Sequence, residues 1–167
     1  EAATDRARRL GTGTVVIRRS HHIACLAAYL ERPARAGYLA LLSCSDPASA
    51  SVAAHGGLSP VFTPDPIAAA WPTAGDPVIL DISASITTNG MTQRLHREGR
   101  RTPGAWMQSA AGVATDDPAV LFTEPRGTLL PTGGVDHGHK GFALALLVEA
   151  LTGGLAGHSR DQPIEGW

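Results

Sequence analysis

Cysteine is scarce: Cys25 and Cys44 are the only two in 167 residues. They stand too far apart for a CxxC pair and are too few to frame a disulfide-built fold, so we expect reduced, buried thiols in a cytoplasmic protein. Aromatic residues make up only 5%, which leaves packing to alanine and the aliphatic side chains. No apolar run approaches the ~18 residues a membrane span needs. The start, Glu1 to Arg9, is charged rather than a basic patch leading into an apolar stretch. Membrane and secretory roles are therefore not expected. Nor is there an excess of charge of one sign, since 14 Lys+Arg against 15 Asp+Glu give a formal net charge of -1. Scattered arginines without a basic stripe argue against a general nucleic-acid binder, whose affinity comes mostly from neutralised phosphates.

What is present describes a globular domain, 43% hydrophobic and 17% charged, large enough to bury roughly 70% of its unfolded surface. Repeats, charged blocks and long linkers are lacking, so the chain reads as one domain. Its first residue is Glu rather than Met, and we expect the start to lie inside a longer polypeptide. Val15 to Ile17, a β-branched run after Gly11-Thr12-Gly13, reads as a strand, and Ile23 to Leu30 as a short helix before Pro33. Tyr38 to Leu42 suggests a buried strand and Ser43 to Pro66 a long irregular segment. Val78 to Ile82, between Pro77 and a Ser/Thr cluster, is the clearest strand. Thr87 to Glu98 fits a polar helix stopped by Gly99, with Arg94 and Arg97 suited to the negative end of its dipole. Turn residues dominate from Gly99 to Asp117. Val120 to Phe122 reads as a short strand and Thr128 to Pro131 as a short apolar stretch. Gly141 to Thr152, apolar nearly all round, is expected to be the central buried helix.

Two constellations carry possible chemistry. Ser20-His21-His22 lies where a strand is expected to give way to a helix, and a neutral imidazole donates or accepts a proton near pH 7 with little penalty. The plainer alternative is one capping and one solvated histidine. The run from Gly133 to Gly141 packs four glycines, His137, His139 and Lys140 in front of an apolar helix. Backbone N–H groups at a helix start attract anions, and a lysine there opposes the dipole unless an anion is bound. A flexible loop is the alternative. Asp136, His137 and His139 also admit a metal reading, but a closed zinc site needs further ligands that the local sequence does not name. Gly11-Thr12-Gly13 precedes a β-branched run instead of following a strand and opening a helix, the wrong order for a Rossmann turn. There is no GxSxG elbow and no Walker loop.

Four segments, in order along nearly the whole chain, resemble the type-2 malate/L-lactate dehydrogenase family, which includes ureidoglycolate and sulfolactate dehydrogenases and Δ1-piperideine-2-carboxylate reductases. Val15-Val16-Ile17-Arg18-Arg19-Ser20-His21-His22 is similar to its strand leading into a Ser-x-His element. Pro66-Ile67-Ala68-Ala69-Ala70-Trp71-Pro72, followed by Val78-Ile79-Leu80-Asp81-Ile82-Ser83-Ala84-Ser85, resembles its NPIAxxxP and LDxATS pair. Gly104-Ala105-Trp106 with Gly112-Val113-Ala114-Thr115-Asp116-Asp117-Pro118 is similar to its PxGWxxDxxGxPTxDP stretch. Leu129-Leu130-Pro131-Thr132-Gly133-Gly134 and His139-Lys140-Gly141-Phe142-Ala143-Leu144-Ala145-Leu146-Leu147-Val148-Glu149 resemble its LLPxGG and HKGxGLALLVE.

The resemblance implies an α+β fold: a non-Rossmann NAD(P)-binding domain with a mainly antiparallel sheet flanked by helices. It implies an oxidoreductase that moves hydride between NAD or NADP and a small 2-oxo/2-hydroxy acid or cyclic imino acid, working as a homodimer. By the same carry-over His22 is the catalytic acid/base histidine. Ser45, Asp81, Ile82 and Ser83 line the cofactor, and Leu130, Pro131, His139 and Lys140 close over it. No metal is implied. The family's upstream Ser-His-Gly segment and its C-terminal portion have no counterpart, so residues 1–167 are expected to be a single cofactor-binding domain of a longer two-domain enzyme. Departures from the pattern are Ile23-Ala24-Cys25-Leu26-Ala27 where an aromatic and glycines are usual, Asp65 for a common Asn, Met91 for a common Lys, and an insert from Val135 to Gly138. A non-catalytic nucleotide-binding module, or one subunit of a split enzyme, is the competing expectation.

Overall fold

The computed structural model describes residues 1–158 and 160. In chain order it contains helix α1 (Ala2–Leu10), a 3-10 turn (Leu26–Tyr29), α2 (Glu31–Arg35), and strands β1 (Ala40–Ser43), β2 (Val52–Ala53), β3 (Pro60–Phe62), β4 (Ile67–Trp71) and β5 (Val78–Ile82). Then follow α3 (Asn89–Arg97), β6 (Met107–Gln108), β7 (Ala114–Thr115), a second 3-10 turn (Pro118–Leu121), β8 (Thr128–Leu129), α4 (Gly134–His137) and α5 (His139–Glu149), which continues into a π turn (Ala150–Gly154).

Two sheets carry the architecture. The first is antiparallel throughout, in the order β1-β4-β5, and pairs Leu41 with Ala69 and Ala69 with Leu80. The second runs β3-β2-β8-β6-β7 and is mixed, because β2 lies parallel to β8. The fold is thus a mixed α/β arrangement with one antiparallel and one mixed sheet. Alternation along β4 buries Ala68 and Ala70 on one face, where Leu26, Leu30 and Ala34 of the 3-10 turn and α2 pack against them. Small side chains on the strand let the helical layer sit close. The second core joins Val52, Phe62, Ala84, Met107, Leu129 and Ala145. Full burial of each of the larger side chains, Val52, Phe62, Met107 and Leu129, contributes about 1.5–3 kcal/mol.

Val78–Ile82 forms as expected, and so does the polar helix, whose cap Thr88 accepts the Met91 N–H through Oγ1 at 3.2 Å and which stops at Gly99 with φ 64°. Other expectations are corrected. Val15 to Ile17 is not a strand: no strand runs beside it among the described residues, and Ile17 is 73% exposed. β-Branched residues favour a strand only when a neighbour completes the ladder. The helix expected over Ile23 to Leu30 is instead a 3-10 turn followed by α2, because Ala24 takes φ 56° and Cys25 is extended. Pro33 falls in the first turn of α2, where no N–H is needed.

The segment read as irregular from Ser43 to Pro66 holds β2 and β3. The strand near Tyr38 starts at Ala40, and its Leu41 is exposed rather than buried. Val120 to Phe122 lies largely in the second 3-10 turn, nucleated by Pro118 and by Asp117, whose carboxylate accepts the Ala119 N–H. Helix α5 is buried along one face only: Gly141, Ala145 and Val148 face inward while Leu146 and Leu147 are exposed. The insert from Val135 to Gly138 is mostly the helical turn α4. Both cysteines are free, but Cys25 is exposed and Cys44 only half-buried.

Candidate functional site

After Ile82 the chain leaves the first sheet and crosses to the second. The Ala84 N–H donates to the Pro64 carbonyl at 2.8 Å, and the Ile86 N–H to the Leu130 carbonyl at 3.0 Å. On the same wall the Thr132 N–H donates to the Ala84 carbonyl at 2.7 Å, and Ser85 bridges to Pro131. Between this crossing segment and the start of α3 opens a cleft of about 380 Å³. Its lining alternates hydroxyls of Ser83, Ser85, Thr87, Thr88 and Thr132 with the apolar side chains of Ile82, Ile86 and Met91. Thr132 Oγ1 donates to the Ser83 carbonyl at 2.9 Å.

Helix α5 presses its first turn onto this wall. Gly141 donates its N–H to the Thr132 carbonyl at 3.0 Å, and a Cβ there would collide with backbone atoms of Thr132 and Ala84. The glycine of the His139-Lys140-Gly141 segment is therefore a close-packing requirement. His139 and Lys140 are exposed in that same turn, and the His139 ring meets His55 edge-on at 5.7 Å. Among the described residues no group of three or more His, Cys, Asp or Glu is arranged to hold a metal ion, and no helix is long and apolar enough to cross a membrane.

The residues singled out from the sequence divide accordingly. Ile82 and Ser83 line the cleft, Leu130 and Pro131 are buried behind its wall, and His139 and Lys140 stand at the head of the helix packed against it. Ser45 is elsewhere, with Oγ 2.8 Å from Thr152 Oγ1 beyond the far end of α5. The Asp81 carboxylate belongs to the loop before α2: its Oδ2 accepts the Ala27 N–H at 2.9 Å and the Cys25 thiol at 3.5 Å. His21 and His22 are exposed on that loop, where the Ser20 hydroxyl donates to the His21 carbonyl at 3.3 Å. The hydroxyl run Ser83-Ala84-Ser85-Ile86-Thr87-Thr88, joining a strand to a capped helix, is the signal that marks the rest of the cleft.

One electrostatic centre escaped the sequence reading. Asp65 is fully buried, and its Oδ1 accepts the Thr63 hydroxyl at 2.6 Å. Burial, aided by the Glu149 carboxylate, pushes its pKa up to about 7 against the opposing effects of Thr63 and Arg160. Burial likewise raises the Cys44 thiol, helped by the charges of Asp65 and Asp81.

The chain is similar to several proteins of known identity. It is 37% identical over 154 residues to the Δ1-pyrroline-2-carboxylate/Δ1-piperideine-2-carboxylate reductase of Pseudomonas syringae pv. tomato, covering 92% of this chain and 43% of that protein. It is 36% identical over 158 residues to the NADP(+) (2R)-3-sulfolactate dehydrogenase of Chromohalobacter salexigens, covering 94% and 45%. Among solved structures, the Δ1-piperideine-2-carboxylate reductase of P. syringae superposes with a TM-score of 0.83 at 35% identity, over 96% of this chain and 46% of that one. Malate dehydrogenase from Entamoeba histolytica does so at 0.85 and 29% identity, over 94% and 45%. The chain thus spans less than half the length of these relatives. Residues 1–167 match the family described as malate/L-lactate dehydrogenase, and with the collinear segments and the shared fold this places the chain in that family.

Proposed function

We propose that this chain is the cofactor-binding part of an NAD(P)-dependent oxidoreductase. It would serve hydride transfer between the nicotinamide and a small 2-oxo/2-hydroxy acid or a cyclic imino acid. The observation that carries the reading is the cleft where β5 meets α3, in a chain of this family. Its residues fit such a cofactor. The first N–H groups of α3 and the hydroxyls of Thr87 and Thr88 suit phosphate oxygens, and Ile82, Ile86 and Met91 offer apolar surface to a flat ring. The reading includes a non-Rossmann binding mode, supported by a cleft that opens off an antiparallel sheet rather than at a glycine-rich βα turn.

When bound, the nicotinamide supplies or accepts the hydride. The chain's own part is to orient it with Ser83 and Thr132, to cover it from the head of α5 with His139 and Lys140, and to move a proton at His22, the proposed acid/base. Leu130 and Pro131 shape the wall from behind. We read residues 1–167 as one domain working with further segments of the kind its longer relatives contain, as a dimer, in the cytoplasm. Two free thiols and an apolar sheet face support those last points.

Fluorescence titration with NADH and NADPH tests the reading. Saturable binding of one of them, weakened by Thr88→Asp, which keeps the helix cap but sets a carboxylate against the phosphates, is the expected result. Failure of the protein to bind either cofactor overturns it.

A further inference from the structure

The described residues that line the cleft between β5 and α3 bear hydroxyls or apolar side chains, and none of them is charged. A ligand carrying phosphate or carboxylate must meet its counter-charge at the rim. Lys140 stands on the α5 side. On the α3 side the cation is Arg94. Helix side chains lean toward the helix start, and Arg94 reaches back one turn, so that its Nη2 donates to Met91 Sδ at 3.2 Å. Met91 is itself a lining residue, and the contact therefore sets the guanidinium at the edge of the cleft. It draws the charge away from the carbonyl end of α3, where it would serve the helix dipole.

The plainer role for such a residue is a surface ion pair, and the distances speak against it. Among the described residues no carboxylate lies nearer to Arg94 than Glu98, whose Oε1 is 4.0 Å from Nε and whose Oε2 takes Arg100 Nη1 at 3.0 Å. A thioether is a weak acceptor, so most of the N–H donors of Arg94 have no partner among the described residues, and its side chain is 61% exposed. A planar fork of this kind matches the paired oxygens of phosphate and carboxylate. We propose that Arg94 is a ligand-binding residue of this site, whose guanidinium takes an anionic group, phosphate or carboxylate, of the molecule that occupies the cleft. That the molecule is a nicotinamide cofactor with a 2-oxo acid rests on the function proposed above; the anion site itself does not.

The test compares Arg94→Gln, Arg94→Lys and Arg97→Gln in the intact protein. Arg97 is an exposed arginine of the same helix, one turn further from the cleft, and its loss reports the effect of removing a nearby charge without the contact. The ligands are NADH and NADPH, followed by fluorescence, and pyruvate added to the cofactor complex, followed by calorimetry. Arg94→Gln should weaken binding of at least one of them about tenfold, Arg94→Lys by less because it keeps the charge and loses the fork, and Arg97→Gln by less than about twofold. Added salt should narrow the gap between parent and Arg94→Gln. A loss for NADPH alone puts the 2′-phosphate on Arg94, an equal loss for both cofactors puts a pyrophosphate oxygen there, and a loss for pyruvate alone puts the substrate carboxylate there. No loss for any of the three in Arg94→Gln overturns the proposal, as do equal losses in Arg94→Gln and Arg97→Gln. If the parent binds neither cofactor, the proposed function fails, and titration with inorganic pyrophosphate decides the anion site by amide shifts over residues 88–94. Saturable shifts in the parent that vanish in Arg94→Gln support it, whereas none in the parent, or equal shifts in both, overturn it.

Discussion

The Asp65 carboxylate lies 3.5 Å from the Arg160 guanidinium in an interior where Asp65 exposes no surface. Arg160 is held more tightly by others. Its Nε and Nη2 donate to Glu149 Oε1 at 2.9 and 2.6 Å, and its Nη1 to the Ser49 carbonyl at 2.6 Å. Two carboxylates therefore share one cation, and Asp65 Oδ2 has no donor among the described residues. A proton on Asp65 resolves this, because the acid then donates to Glu149 instead of repelling it, and this is the form that its pKa of about 7 favours below neutrality.

The consequence for stability has a definite sign. The folded pKa of about 7 exceeds the unfolded 3.8, so the native state holds the extra proton between those values. This group's contribution is fully present below the unfolded pKa and is lost as pH rises toward 7, for a total of about 2–4 kcal/mol. Asp65→Asn keeps an acceptor for Thr63 and gains a donor for Glu149 without the charge. Urea denaturation at pH 5 and pH 8 should show the parent losing stability between them and Asp65→Asn losing much less, with the variant the more stable at pH 8. Parallel pH profiles would contradict this account.

Gly141 offers a second prediction, in which two effects compete. Alanine is favoured over glycine in a helix by about 1 kcal/mol. Against that, its Cβ would meet the backbone of Thr132 and Ala84, and overpacking of rigid backbone costs about 1–3 kcal/mol or more. The clash should win. Gly141→Ala is expected to lower the melting temperature and to weaken cofactor binding together, since the wall it displaces is the wall of the cleft. A stabilised variant would show that α5 can shift freely.

How far the sequence revealed this structure depended on whether the signal was local. Val78 to Ile82 is a β-rich run with a proline before it and hydroxyl residues after, and α3 has Thr88 and Gly99 at its ends; each carries its own punctuation. Strands β2, β6 and β8 are two residues long and exist because Leu129 pairs with Val52 on one side and Met107 on the other. Nothing local announces β2 or β6, and β8 shows only as the start of the short apolar stretch from Thr128 to Pro131. Val15 to Ile17 shows the converse, strand propensity without a ladder. The cleft is half legible, through Ile82 and Ser83, whereas Asp65 shows in the sequence only as a departure from the family's common Asn. That it is a buried acid depends on Glu149 and Arg160, far along the chain.

A third prediction concerns the exposed face of the first sheet. Leu41, Ala69 and Leu80 are cross-strand partners there, next to the pairs Ile67 with Ile82 and Trp71 with Val78. Leu41 is 68% exposed and Ile82 49%. Contiguous apolar surface of this kind marks an interaction face. Sedimentation at micromolar concentration should find a dimer in the parent and a monomer in the Leu41→Lys, Leu80→Lys double variant. Its melting temperature should move little, because neither side chain is buried. A monomeric parent would remove the case for a homodimer.

The last prediction separates two adjacent histidines. Both are exposed, so access to solvent does not distinguish them, but neighbouring residues on extended backbone project in different directions and only one can face the nicotinamide. The resemblance to the family's Ser-x-His element selects the second. His22→Ala should therefore lower turnover in a reductase assay by roughly 10²- to 10⁴-fold, the usual worth of general acid catalysis, with cofactor affinity nearly unchanged. His21→Ala should do far less, because its peptide carbonyl, the acceptor of the Ser20 hydroxyl, survives the substitution. Equal losses in both variants, or a loss in His21→Ala alone, would shift the register of the motif by one residue. Full activity in both would move the acid to the head of α5, where His139 and Lys140 stand exposed beside the same wall.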